Sequence, residues 1–267
     1  MTSILFWNIN KKPLLEEIKE LCIDNDVDIL ILAECNLSND NILEAINLKS
    51  KIKYTAPLNL VSNLSFFCRY PIQFVIPIQD ERRILIRELS LASKNSFTLV
   101  ALHLPSKLHM SEIEQGFNAV RAASIIKEVE AKVGHDRTLV IGDFNMNPFE
   151  VGMVSADTFH AVMDRNIASQ VSRKVQDETC KYFYNPMWRL MGNDSNDYLG
   201  TYYYRDGSIS YFWNTFDQVL LRSSLLIKFK SEDVAIISKI RQKNLIINNK
   251  IDKCFSDHLP IVIRLNI

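Results

Sequence analysis

Asp143 and Asn145 stand two residues apart in the stretch Ile141-Gly142-Asp143-Phe144-Asn145-Met146-Asn147-Pro148. The apolar run Thr138-Leu139-Val140 before it reads as a buried strand. Gly142 lets the backbone approach a neighbour closely, and Pro148 closes the extended segment. Residues two apart on a strand project from the same face, so a carboxylate and an amide are held side by side at a strand end. Such a pair suits orienting a water molecule or binding a metal. Taken alone, the same residues also describe an Asp/Asn-rich turn.

Other apolar runs end the same way. Ser3–Ile9 carries Asn8 at its end. Val27–Ala33 is nearly all apolar and stops at Glu34, a carboxylate that is costly there unless it is paired or metal-bound. Phe97–Leu102 leads into His103, and Thr215–Leu221 has Asp217 near its start. Ser256-Asp257-His258-Leu259-Pro260 precedes a final strand, Ile261–Leu265. Together these residues hold the parts for metal-assisted phosphoester hydrolysis. Carboxylates and amides are oxygen ligands for a hard cation such as Mg²⁺ or Mn²⁺. The cation polarises the phosphate, a base activates water, and an imidazole holds the non-bridging oxygens.

Elements between these ends must position them. Leu14, Ile18, Leu21 and Cys22 predict an amphipathic helix over Pro13–Cys22, with Pro13 in its first turn. A short helix is expected over Ser38–Asn47, capped by Ser38 or Asn39. Lys53–Ala56, Asn63–Cys68, Ile72–Pro77, Arg83–Leu89 and Ser96–His103 read as strands of an antiparallel meander. Ser111 and Glu114 form a capping box that opens the longest helix, Ser111–Gly134, with Ile113, Phe117, Val120, Ala123/Ser124, Ile126 and Val129 on its apolar face. Asn147–Gly200 is loop-rich. Gly200–Tyr204 and Ile209–Trp213 flank a turn and predict a hairpin. No repeat, low-complexity segment or linker interrupts the chain, so a single domain over residues 1–267 is expected, an α/β sandwich of two mixed sheets with helices outside.

Composition sets outer bounds. The chain has 267 residues, 47% hydrophobic and 23% charged, with a net charge of zero. Neutrality removes the argument that a strongly basic chain would make for nucleic acid. Five cysteines, with no Cys-x-x-Cys, imply neither a disulfide framework nor a zinc site. The N-terminus lacks a signal peptide's basic and apolar regions, and no apolar run reaches the ~18 residues of a membrane span. A cytoplasmic location is the expectation.

The motifs Phe6-Trp7-Asn8, Leu32-Ala33-Glu34, Cys68-Arg69-Tyr70-Pro71-Ile72, Ala101-Leu102-His103-Leu104-Pro105-Ser106, Gly142-Asp143-Phe144-Asn145, Phe216-Asp217-Gln218-Val219 and Ser256-Asp257-His258-Leu259-Pro260 follow one another along the chain. In this order the sequence resembles the endonuclease/exonuclease/phosphatase superfamily, of deoxyribonuclease-I-like and exonuclease-III-like enzymes. The resemblance implies a four-layered α/β sandwich with its site at the top of two sheets. It implies that Glu34, with Asn8 and Asp257 near, binds Mg²⁺ or Mn²⁺. Asp143 would activate water, with Asn145 holding phosphate or water. His258, steadied by Asp257, would contact the scissile phosphate; Asp217 would support the leaving group or the neighbouring His; His103 would contact phosphate or protonate the leaving oxygen. Glu88 is the candidate partner for His103. The activity implied is hydrolysis of phosphodiesters, with nucleic acid as the substrate; the alternative is a small phosphoester, a phospholipid head group or a tyrosyl-DNA adduct. Lys107, Arg189, Arg205 and the basic run after Leu225 are candidates for a phosphate groove, with Trp188 or Tyr203 for stacking on bases. The Cys-Asp-Arg signature of the inositol phosphatases in that superfamily is absent, because Gln218-Val219 follow Asp217.

Overall fold

The computed structural model describes residues 1–48, 50–59, 61–90, 96–107, 111–193, 195–206 and 211–267. In chain order, β1 (Thr2–Asn8), α1 (Leu15–Asp24), β2 (Ile29–Ala33), α2 (Asn39–Asn47) and β3 (Ser65–Cys68) come first. Then follow β4 (Val75–Glu81), β5 (Ile84–Leu89), β6 (Phe97–His103), α3 (Glu112–Val133) and β7 (Thr138–Asp143). The next part is made of short pieces: α4 (Val151–Val154), β8 (Ala161–Val162), α5 (Arg165–Ser169), β9 (Ser172–Val175), β10 (Glu178–Lys181), β11 (Phe183–Tyr184), β12 (Tyr202–Tyr203) and β13 (Trp213–Asn214). Last are β14 (Asp217–Arg222), β15 (Val234–Ile236), the two-residue strands β16 (Lys239–Ile240), β17 (Lys243–Asn244), β18 (Ile246–Ile247) and β19 (Lys250–Ile251), and β20 (Ile261–Leu265).

Two mixed sheets carry the fold. A five-stranded sheet runs β15-β20-β1-β2-β3 and a seven-stranded sheet runs β4-β5-β6-β7-β14-β11-β8. β1 and β2 pair in parallel across α1, and β6 and β7 across α3. Alternation on the seven-stranded sheet separates two apolar clusters. Leu99, Ala101, Leu139, Ile141, Val219 and Leu221 join the core shared with β1, β2, α1 and α2. Their neighbours Val100, Leu102, Val140 and Leu220 face the other way, onto Ala119, Ala122, Ile125, Ile126 and Val129 of α3. The layers are therefore helix, sheet, sheet, helix, as the sandwich expectation required.

Several elements differ from the sequence expectation. α1 starts at Leu15, so Pro13 lies before the helix rather than in its first turn. Ser38 is the cap of α2, accepting from Asn41 N. β3 pairs with β2 in the five-stranded sheet, so the meander is only β4-β5-β6. Lys53–Ala56 forms a single bridge from Thr55 to Cys68, and Ile72–Phe74 is a 3₁₀ turn. The capping box of α3 forms as expected, Gly134 closes the helix at φ 76°, and Ile126 and Val129 are buried as expected, but the first turns of the expected face are exposed. Ile113 and Phe117 are 73% and 70% exposed, while Ala119 and Ala122 are buried. Small residues let the helix approach the sheet closely, which volume-blind periodicity misses. Among the short pieces, the hairpin of β9 and β10 is an unexpected addition. β12 and β13 form the base of the expected hairpin, whose tip lies outside the described residues.

Candidate active site

Strand register builds the site. His103 neighbours Asp143 in the parallel β6/β7 pair, and Asp217 lies opposite Asp143 in the antiparallel β7/β14 pair. All three therefore fall in one cross-strand row. Their odd-numbered strand-mates, Ala101, Ile141 and Val219, point between the sheets. The row thus lies at the end of the inter-sheet core, where β1 and β2 of the other sheet deliver Asn8 and Glu34. Gly142 is required here: a Cβ on it would lie 1.9 Å from Leu102 O. That is the close approach expected of this glycine, and it lets Asp143 draw level with His103.

Asn8 joins the sheets. Its Nδ2 donates to Asp143 Oδ2 at 3.1 Å and, more weakly, to Glu34 Oε1 at 3.5 Å. Its Oδ1 accepts from Asn10 N at 3.1 Å. Asp143 is 1% exposed. Its Oδ1 accepts from Asn145 N at 2.8 Å, while Asn145 donates from Nδ2 to Leu104 O at 2.9 Å. Asn145 takes a left-handed backbone, φ 52°, as does Glu34, φ 48°. For Glu34 this conformation is unfavourable, and strained residues of this kind gather at working sites.

Asp217 and His258 form a fully buried pair, Oδ2 to Nδ1 at 2.8 Å. Burial opposes the charged ring, but Asp217 and then Asp143 outweigh it and push His258 up to about 10. Burial raises Asp217 to about 6, against the pull of His258. The pair is therefore an ion pair at neutral pH, with Nε2 of the cation 3.8 Å from Asp143 Oδ2. His103 is the opposite case. Its Nε2 lies 3.6 Å from Glu34 Oε1 and 3.8 Å from Asp143 Oδ2. Burial nevertheless lowers its pKa, with the two carboxylates opposing the shift.

Two expected partnerships are different in the structure. Asp217, not Asp257, steadies His258; consecutive residues in an extended segment point apart, and His258 bridges to Tyr202. Glu88 does not reach His103. It faces Thr98, five positions up β6, and bonds Thr98 Oγ1 at 2.8 Å and His135 Nε2 at 2.9 Å. Asp257 is half-buried and makes no hydrogen bond or ion pair among the described residues.

The structure gives roles to residues that were not singled out as site residues. Thr201 Oγ1 accepts from both Phe216 N and Asp217 N, at 3.1 and 3.0 Å. Asn147 ties the loop after β7 to the segment between β13 and β14, through Asn214 Oδ1 and Thr215 N, each at 2.8 Å. Ser256 Oγ donates to Asn8 O at 2.6 Å, and Trp7 Nε1 to His258 O at 2.9 Å. Ser256, Trp7 and Asn147 lie within stretches the sequence marks; Thr201 is found by contact alone.

Of the groups that can hold a cation, Glu34 is half-exposed and loosely held: its nearest partners, Asn8, His103 and Lys11, stand 3.5, 3.6 and 3.9 Å away. Its carboxylate oxygens are donors of the kind a hard divalent ion takes. Asp143, Asp217 and His258 also place ligand-type atoms within 4.8 Å of one another. Because His258 Nδ1 is committed to Asp217, that trio is a hydrogen-bonded network rather than a cage for an ion.

The proposed groove cations are mostly engaged elsewhere. Lys107 pairs with Glu150, and Arg189 donates to Ser231 O at 2.6 Å. Arg241 and Lys243 bind the acids of α1. Arg205 is exposed. Tyr203 packs edge-on against Trp213, and Trp188 lies by Phe149. No helix of the described residues is long and apolar enough to cross a membrane.

The family model described as Endonuclease/Exonuclease/phosphatase family matches residues 5–258. Among solved structures, the 3′ phosphatase NExo from Neisseria, bound to a product DNA hairpin, superposes with a TM-score of 0.60 at 15% identity, over 100% of both chains. An AP endonuclease from Archaeoglobus fulgidus gives 0.57 at 15%, again over 100% of both chains. Truncated TDP2 from Caenorhabditis elegans gives 0.52 at 21%, over 98% of this chain and 95% of that one. No curated protein matches by sequence.

Proposed function

The chain belongs to the endonuclease/exonuclease/phosphatase family, and from that premise we propose that it hydrolyses phosphodiester bonds in DNA or RNA with Mg²⁺ or Mn²⁺. The carrying observation is the row His103–Asp143–Asp217, set opposite Asn8 and Glu34, with a buried cationic His258 beside it. The family match across residues 5–258 supports treating residues 1–267 as one domain. Five free cysteines fit a reducing, cytoplasmic setting.

Glu34 would hold the cation, with Asn8 and Asp257 near it. When bound, the cation supplies charge that polarises a phosphate oxygen and offsets negative charge in the transition state. Asp143 is the group that orients water and accepts its proton, fixed by Asn8 on one oxygen and Asn145 N on the other. His258 presents Nε2–H to a non-bridging oxygen, and Asp217 fixes its ring and charge. His103, kept neutral by burial, faces the leaving-group side. The opposed proton affinities of His258 and His103 divide the work between a fixed donor and a neutral ring.

One observation favours a second reading. Lys107, Arg189, Arg241 and Lys243 are committed within the chain, so a long phosphate track is weakly provided for. This suits a small phosphoester, a lipid head group or a tyrosyl-DNA adduct. Exposed Tyr204 and Tyr211 near the β12/β13 hairpin support nucleic acid instead, since bases stack on such rings. The test is a panel: plasmid, single-stranded DNA, RNA, 5′-tyrosyl DNA, inositol phosphates and sphingomyelin, each with Mg²⁺, Mn²⁺ or EDTA. Cleavage of nucleic acid that weakens steeply with salt supports the first reading. Cleavage of a small phosphoester alone supports the second.

A further inference from the structure

Arg83 immediately precedes β5 and sits beside His103. His103 N donates to Arg83 O at 3.0 Å, and Arg83 Nη1 donates to His103 O at 3.2 Å. The guanidinium is thereby brought to the row of site residues. It is half-buried, and the acids that act on its charge are Glu34 and Asp143.

Some arginines of this chain end on carboxylates, while Arg137, Arg165, Arg189 and Arg264 donate to carbonyl or amide oxygens. Arg69 meets Asp26, Arg87 meets Asp80, Arg121 meets Glu81 and Arg222 meets Glu130. Among the described residues Arg83 forms no such pair, and the bond to His103 O is its single side-chain hydrogen bond. A guanidinium has five donors in a planar fork. Half-buried and with one bond to His103 O, that of Arg83 leaves its other donors to water or to an acceptor that enters the site. The site it borders is crowded with carboxylates, so an incoming phosphate is repelled except where a cation faces it.

We propose that Arg83 is a substrate-binding residue whose guanidinium takes a phosphate oxygen on the His103 side of the site. This rests on the phosphoester-hydrolase reading. The phosphate in question flanks the reacting one or is the reacting one itself. In either case the free fork recognises paired phosphate oxygens, which a lysine ammonium does not match.

The test uses Arg83→Gln, which keeps a donor for His103 O, and Arg83→Lys, which keeps the charge. Thermal melting should place both near wild type. Thymidine 3′,5′-bisphosphate with Mg²⁺ is the probe for calorimetry, so that binding is read without turnover. Loss of a charge-assisted contact predicts Kd raised about tenfold or more in Arg83→Gln, with Arg83→Lys in between. With any substrate the panel identifies, KM should rise similarly while kcat changes less. Unchanged Kd in Arg83→Gln, or no binding by wild type, overturns the inference. So does a loss confined to kcat, which would make Arg83 only a positioning residue for His103. Failure of the underlying reading looks different: bisphosphate binds and depends on Arg83, but nothing on the panel is hydrolysed.

Discussion

Asp217 and His258, 41 residues apart in sequence, meet at 2.8 Å inside the protein and leave Nε2 of the ring facing Asp143. One carboxylate thus fixes the ring's orientation, its tautomer and its charge. The pH dependence of stability follows. His258 is raised to about 10 in the folded chain, above the ordinary value of about 6.5. Its contribution is complete below the unfolded value and is lost as pH rises through the folded one. Asp217, raised to about 6, changes the balance only in the acid range. In EDTA, the urea midpoint should therefore fall between pH 7 and about 10. Asp217→Asn should make that fall shallower. Parallel curves for the two proteins would contradict the pairing.

Glu34 is the loosely held carboxylate of the site, and its removal should act on the cation first. Glu34→Gln should show low activity at limiting Mg²⁺ and recover part of it in excess. EDTA should abolish wild-type turnover. Full turnover in EDTA would remove the cation from the account.

Among the described residues the His103 side chain makes no hydrogen bond, its approach to Glu34 being 3.6 Å. His103→Ala should therefore melt near wild type yet lose about 10²-fold or more in rate, the scale of a positioned acid, base or donor. A lowered melting temperature with normal activity per folded molecule would make His103 structural.

The strand ends were legible in sequence because polar residues break otherwise apolar runs. Asn8, Glu34, His103, Asp143 and Asp217 all lie at the ends of buried strands or one residue past them. Partnerships between them were not legible, since they depend on register. Asp217 opposite Asp143, and Glu88 opposite Thr98, follow from pairings between strands that no local pattern encodes. Helix α3 shows the same limit at the level of packing. Ile113 and Phe117 have the right spacing for a buried face, but Ala119 and Ala122 allow the closer approach. Arg83 was hidden for a simpler reason: it stands just before a strand and carries no motif, and only its contact with His103 brings it to the site.

Asp143 carries the central claim, because it is buried, held on both oxygens and proposed to activate water. Asp143→Asn preserves shape, so the protein should still fold, with a modest drop in melting temperature because one of the two donors that Asp143 accepts from then faces an NH2. Single-turnover cleavage of the panel's substrate, measured at saturating Mg²⁺, should drop at least ~10²-fold. A folded Asp143→Asn protein that cleaves at the wild-type rate would contradict the assignment of this row as the active site.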